Sequence, residues 1–173
     1  MQIELRELTD IKARFVVSGV DTSLVNSLRR AMIADVPKLA FEEITVYDNT
    51  SALFDEMVSH RLGLVPVPTD LNLLNFREQC VCKGEGCPNC TVLYTLSKEG
   101  PGTVYSGDLQ PTDRKWEMRD KRIPIVKLLS GQRVMLEATA VLGTSQQHAK
   151  WQPVTAAGFK QYPIIELLSP TCP

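Results

Sequence analysis

No run of apolar residues in this chain approaches the roughly 20 needed to cross a bilayer. Neither sign of charge dominates: 19 lysines and arginines stand against 20 aspartates and glutamates, a formal net charge of −1. Without a positive excess, composition carries no footprint of autonomous nucleic-acid binding. The opening residues, MQIELRELTD, lack the basic start and apolar middle of a signal peptide. The expected setting is therefore intracellular and cytoplasmic. There is no G-x-S-x-G nucleophile elbow, no P-loop and no G-x-G-x-x-G opening a helix. Internal repeats and low-complexity tracts are also missing. Histidine is scarce, with only His60 and His148.

What is present is ordinary globular material. The 173 residues are 43% hydrophobic and 23% charged, enough for one domain or two small ones. Period-two alternation predicts strands around Ile3–Leu8 and over Lys12–Val20, joined as an antiparallel hairpin. A helix follows, capped by Asp21, Thr22 or Ser23 and stopped by Pro37. Leu24, Leu28 and Met32 recur on it at i, i+4 and i+8 as one apolar stripe. Further strands are expected over Leu39–Tyr47, Thr91–Ser97, Val104–Gln110, Gln132–Val141, Thr155–Gln161 and Ile164–Leu168. A second helix is expected over Phe54–Leu64, and Pro111–Arg122 reads as a charged surface loop around a lone Trp116. The fold class is α+β.

Cysteine is the unusual component. Four of the five fall in CVCKGEGCPNC, as Cys80, Cys82, Cys87 and Cys90, spaced C-x-C-x4-C-x2-C. Four soft thiolates suit a tetrahedral zinc ion, and C-P-N-C is a two-residue knuckle of the zinc-ribbon kind. Gly84 and Gly86 let the chain turn between the pairs. An iron–sulfur cluster accepts the same ligands, and disulfides or free thiols are the other readings. A catalytic metal is disfavoured because such sites usually mix in His or carboxylate and keep a position open. The expected role is to staple an inserted lobe that buries few large apolar residues.

The remaining polar residues read mostly as structural. Glu42 and Glu43 alternate on a strand, so at most one points inward. His60 reads as packed or capping, and His148 as part of an ordered surface cluster with Lys150 and Trp151. Arg29 and Arg30 lie beside the apolar stripe, where arginine suits either a solvated face or a planar interface contact. With no visible active site, these features favour a scaffold or assembly protein.

Three stretches, together with the cysteine cluster, carry a family resemblance. They are NSLRRAMIADVP (Asn26–Pro37), DEMVSHRLGLVPV (Asp55–Val67) and HAKWQPVTAA (His148–Ala157), with the cluster between the second and third. In this order they resemble the third-largest subunit of multisubunit RNA polymerases. The archaeal D-type form is the nearest kind, the eukaryotic form is next, and the amino-terminal domain of the bacterial alpha subunit is more distant. The resemblance implies a non-catalytic platform subunit. It pairs with a small alpha-like partner, the L subunit, and carries the large catalytic subunits. It meets neither membrane nor, except through the complex, nucleic acid. It also implies an alpha-subunit-like dimerisation domain at residues 1–48 and 142–173, with residues 49–141 as an inserted domain holding the cysteines. Carried over by position, Leu24, Asn26, Leu28 and Met32 are expected at or near the dimer interface. Arg29 and Arg30 are expected to meet the large subunits.

The chain departs from the family pattern at its end. Relatives continue past a segment like QYPIIELLSP to a strand and helix that complete the dimer surface. Many archaeal ones insert a ferredoxin-like domain there, with iron–sulfur ligands. A truncated chain is the expectation, with Cys172 the first such ligand if the chain continued. The rivals from other classes are a metal-dependent enzyme working at the cysteine cluster, with Glu85 or Glu78 as its acid or base, and a zinc-stapled nucleic-acid-binding protein.

Overall fold

Alternation in the first eighteen residues produces an antiparallel hairpin in the computed structural model, which describes residues 1–165. Strand β1 (Gln2–Thr9) pairs with β2 (Lys12–Ser18). Ile3 lies opposite Val17 and Leu5 opposite Phe15; a register shift between Leu5 and Glu7 then sets Leu8 opposite Ala13. Facing partners share a side of the ladder, and one extra residue turns the following side chains over. The bulge therefore brings Leu8 onto the same face as Ile3 and Leu5, despite its odd spacing.

Helix α1 (Thr22–Ala34) begins where the Asp21 side chain accepts from the Leu24 N–H at 3.2 Å. Ser23 Oγ donates to the same carboxylate at 2.6 Å. These two bonds, Ser23 first, hold the Asp21 carboxyl below the usual carboxylate range. The helix closes at Asp35, just ahead of Pro37, whose ring disfavours helical backbone before it. No residue of β1, β2 or α1 is buried.

The core lies in the rest of the chain. Strand β3 (Lys38–Asn49), helix α2 (Asp55–Gly63), β4 (Thr91–Glu99), β5 (Gly102–Tyr105), β6 (Gln110–Pro111), β7 (Pro124–Leu128) and β8 (Arg133–Gly143) follow in order. Four of the strands form one antiparallel sheet, ordered β3-β8-β4-β6; β5 and β7 form a separate two-stranded ribbon. Alternation supplies the buried face: Val92, Tyr94 and Leu96 from β4, and Val134, Leu136, Ala138 and Ala140 from β8. Helix α2 adds Val58 and Leu62, and the ribbon adds Val104, Ile125, Val126 and Leu128. Phe41 meets Tyr94 edge-on, with ring centroids 5.1 Å apart. The described residues contain no helix long and apolar enough to cross a membrane.

Ala40, Val141 and Trp151 form a smaller apolar cluster, separate from this core. The Trp151 indole donates from Nε1 to the Val141 carbonyl at 3.1 Å and covers Gly143. A Cβ at Gly143 would collide with the ring. Gly143→Ala is therefore expected to cost about 1–3 kcal/mol through overpacking. The expected readout is a lower urea midpoint with unchanged slope. A midpoint at the wild-type value would mean that the indole is not held against this backbone.

Several sequence expectations are corrected. Trp116 does not sit in a surface loop: it is 5% exposed, and its carbonyl accepts from the Tyr94 hydroxyl at 2.7 Å. Met118 is buried beside it in the same core. The strand expected over Val104–Gln110 breaks at Ser106–Asp108 into a single 3-10 turn. There Ser106 Oγ donates to the Asp120 carbonyl, and a Cβ at Gly107 would stand 2.8 Å from the Lys121 side chain. Close approach of a second backbone ends the strand. Strand β7 matches no stretch expected from the sequence. Residues Thr155–Gln161 form no strand, because no backbone partner lies beside them among the described residues. Most of the Ile164–Leu168 expectation, like Cys172, lies outside the described residues.

Candidate metal centre and partner-facing residues

The four cysteines come together where the loop after α2 returns to the sheet. A 3-10 turn at Arg77–Gln79 delivers Cys80, and β4 begins one residue after Cys90. Lys83 N–H donates to the Cys80 carbonyl and Glu85 N–H to that of Cys82. The N–H groups of Cys90 and Thr91 both donate to the Cys87 carbonyl at 2.9 Å. Lys83 at φ 55°, Gly84 at φ 90° and Gly86 at φ 96° make the reversal between the two pairs. Two of the three are glycine, the residue for which this backbone costs least.

The sulfurs form a compact set. Sγ–Sγ distances are 3.4 Å for Cys80–Cys87, 3.6 Å for Cys82–Cys90 and 3.8 Å for Cys87–Cys90. All four atoms lie within 4.8 Å of one another. A disulfide needs sulfurs about 2.05 Å apart, so these thiols are free. A tetrahedral ion bonded to sulfur at about 2.3 Å requires sulfurs about 3.8 Å apart. The residues therefore fit one metal ion, held by all four side chains. The Cys87 N–H also donates to Cys90 Sγ at 3.3 Å, the kind of bond that orients a thiolate ligand.

The sulfurs differ in their surroundings. The Gly86 N–H, with that of Gly84 and the neighbouring thiols, brings the Cys82 thiol down to about 6. Burial pushes the Cys90 thiol up to about 12. Arg77 lies over the turn. Its Nε donates to the Gly84 carbonyl at 2.9 Å, and its Nη1 pairs with Glu43 of β3 at 2.6 Å. Nothing local in the sequence marks Arg77, because its partner lies 34 residues earlier in the chain.

Glu42 and Glu43 both point outward. The β3 register shift between Phe41 and Glu43 breaks the alternation that would have separated their faces. Glu42 pairs with Lys150, whose Nζ also donates to the Phe41 carbonyl at 2.9 Å and sits 4.3 Å above the Trp151 ring. His148 accepts from the Lys150 N–H through Nδ1 and meets Trp151 edge-on. Both histidines line one open groove of about 350 Å³, between α2, β3 and this cluster. His60 and His148 thus share a groove, and neither belongs to the cysteine cluster.

The partner-facing candidates lie on α1. Leu24 and Leu28 are 49% and 44% exposed, and Met32 is half-buried. The stripe is thus not part of the core. Arg29 donates from Nε and Nη2 to Asn26 Oδ1, at 3.1 and 3.0 Å, while Arg30 points to solvent. Ile3, Leu5, Leu8 and Phe15 leave the apolar face of the hairpin exposed as well, and Ile11 at its turn is 98% exposed.

Residues 43–159 match the family described as the RNA polymerase Rpb3/RpoA insert domain. The DNA-directed RNA polymerase subunit Rpo3 of Methanosarcina acetivorans is 48% identical over 168 residues, covering 96% of this chain and 63% of the relative. The protein of the same name from Methanosarcina mazei is 49% identical, with the same coverage. That from Thermoplasma volcanium is 43% identical over 180 residues, covering 96% of this chain and 66% of the relative. The chain thus spans a little under two thirds of the length of these curated relatives. With the matched region running from β3 through the cysteine centre to the segment after Trp151, the chain belongs to the Rpb3/RpoA family of RNA polymerase subunits.

Proposed function

We propose that this chain is a non-catalytic platform component of a DNA-directed RNA polymerase, of the archaeal D type. It pairs through its amino-terminal face with the small alpha-like L subunit. The pair then carries the large catalytic subunits, which perform nucleotidyl transfer in the cytoplasm. The observation that carries this reading is the uncovered apolar surface of β1, β2 and α1. In a chain with a well-filled core elsewhere, these elements bury no residue. Exposed apolar surface of this kind marks an interaction site. In this reading Arg29 and Arg30, beside the stripe, meet the large subunits; Asn26, accepting from Arg29, holds that guanidinium. Arginine is favoured at such contacts for its planar set of donors.

The division into a dimerisation part (residues 1–48 and 142–173) and an inserted part (residues 49–141) belongs to the same proposal. The β3–β8 ladder then forms the seam between them. The metal at Cys80, Cys82, Cys87 and Cys90 is zinc, in a structural role. Three sulfur–sulfur edges of 3.4–3.8 Å, with all four atoms within 4.8 Å of one another, suit it. Four thiols fill a tetrahedral ion and leave no position for a reacting water.

The test is co-purification of the full chain with a small alpha-like subunit, with mass and metal content read on the same sample. A one-to-one complex carrying one zinc per chain is expected. A chain that neither binds such a partner nor enters a polymerase complex overturns the assignment.

A further inference from the structure

We infer that Arg77 is the positioning residue of the cysteine centre, tying its glycine turn to the sheet and offsetting the negative charge of its thiolates. The inference rests on the reading that the four cysteines hold zinc.

Arg77 reaches three parts of the site at once. Its backbone carbonyl accepts from the Cys80 N–H, so it sits at the entry to the ligand loop. Its Nε fixes the Gly84 carbonyl, in the middle of the reversal between the two cysteine pairs. Its Nη2 passes over Gly86, where an added Cβ would lie 3.9 Å from it. Its Nη1 is anchored on Glu43, a residue of the sheet rather than of the loop. The turn is therefore bound to rigid structure through one side chain, which is two-thirds shielded from solvent.

Charge points to the same role. Four thiolates around a divalent ion leave a formal double negative charge. The other charged residues inside the loop, Lys83 and Glu85, oppose each other, while Glu78 adds a negative group at its entry. Arg77 brings a permanent cation against the turn, and its pairing with Glu43 keeps the guanidinium oriented. Outer groups that orient metal ligands typically govern metal affinity by about 10–100-fold.

The experiment compares zinc affinity, by chelator competition, in the full chain and its Arg77→Gln, Arg77→Lys and Glu43→Gln variants. Cobalt-substituted spectra are recorded at saturating metal. Arg77→Gln is expected to lose about 10–100-fold in affinity. It is also expected to shift the thiolate-to-cobalt charge-transfer band, which reports the field at the sulfurs and which general loosening of the fold leaves in place. Arg77→Lys keeps the charge without the fork and should fall between the two. Glu43→Gln should fall below wild type by more than twofold. If Arg77→Gln fails to fold, the lysine and Glu43 variants decide by the same measure. Affinities within twofold of wild type, or an unmoved band, overturn the role of Arg77 while leaving the zinc centre intact. A wild-type chain that binds no zinc overturns the centre itself, and the inference with it.

Discussion

Leu28→Glu, alone or combined with Leu24→Glu, is expected to abolish pairing with the small alpha-like partner while barely changing the stability of the free chain. The two halves of this result have different physical origins. Leu24 and Leu28 are 49% and 44% exposed, and α1 buries no residue, so no core contact is lost in the monomer. Substitutions at such positions usually stay within about 0.5 kcal/mol. In the proposed complex the same positions would be desolvated, and an unpaired carboxylate buried there costs several kcal/mol. At about 1.4 kcal/mol per decade, the dissociation constant should rise at least 100-fold. Titration calorimetry and thermal melting of the free chain measure the two effects separately. Variants that pair at wild-type affinity would move the interface off α1. Variants that melt much lower would show that the stripe supports the fold.

Removing the metal is expected to release the loop from Asn75 to Cys90 while the main sheet stays folded. Within that loop only Cys80 and Cys90 are buried and Val81 is 88% exposed, while Phe76 at its start packs half-buried against the main core, so little apolar burial holds the rest of it. Structural zinc supplies on the order of 10–16 kcal/mol at neutral pH in small metal-stapled units, far more than the loop's few backbone bonds. The sheet depends instead on Phe41, Tyr94, Leu96, Leu136 and the α2 residues Val58 and Leu62, none of which is a ligand. Hydrogen exchange reads both regions in one sample. After chelation, the amides of Lys83, Glu85 and Cys90 should lose protection, while those of the β3–β8 ladder keep it. Cys90→Ser should reproduce the chelated state. Full protection of the loop, with metal loss confirmed on the same sample, would show that its own packing holds it.

The parts of the fold that are legible in the sequence are those specified by neighbours along the chain. Asp21 caps α1 from three residues away, and Leu24, Leu28 and Met32 mark its stripe by spacing alone. The four cysteines read as one ligand set because they fall within eleven residues, with two glycines to turn the chain. Trp116 reads as a surface residue because the run around it, DRKWEMRDKR, is charged on both sides. Nothing local signals that the Tyr94 hydroxyl donates to its carbonyl. Strand β7 escapes a local reading for a related reason: its apolar residues Ile125, Val126 and Leu128 are too few to show a period, and the strand exists by pairing with β5. The stretch Thr155–Gln161 has the residues for a strand but, among the described residues, no neighbour to bond with.

The sequence by itself determined the start of α1, the helical stripe, the hairpin and the identity of the candidate metal ligands, because hydrogen-bond reach and side-chain period act over a few residues. Tertiary structure decided which of these faces is covered. It left the α1 stripe and the Ile3–Leu5–Leu8 face open, because the sheet and α2 complete a core without them. It also brought Arg77 to Glu43 across 34 residues, and Lys150 to Glu42 across 108. Such pairings depend on the register of β3 and on where the loops return. Those are set by the packing of the whole sheet rather than by any local run of residues.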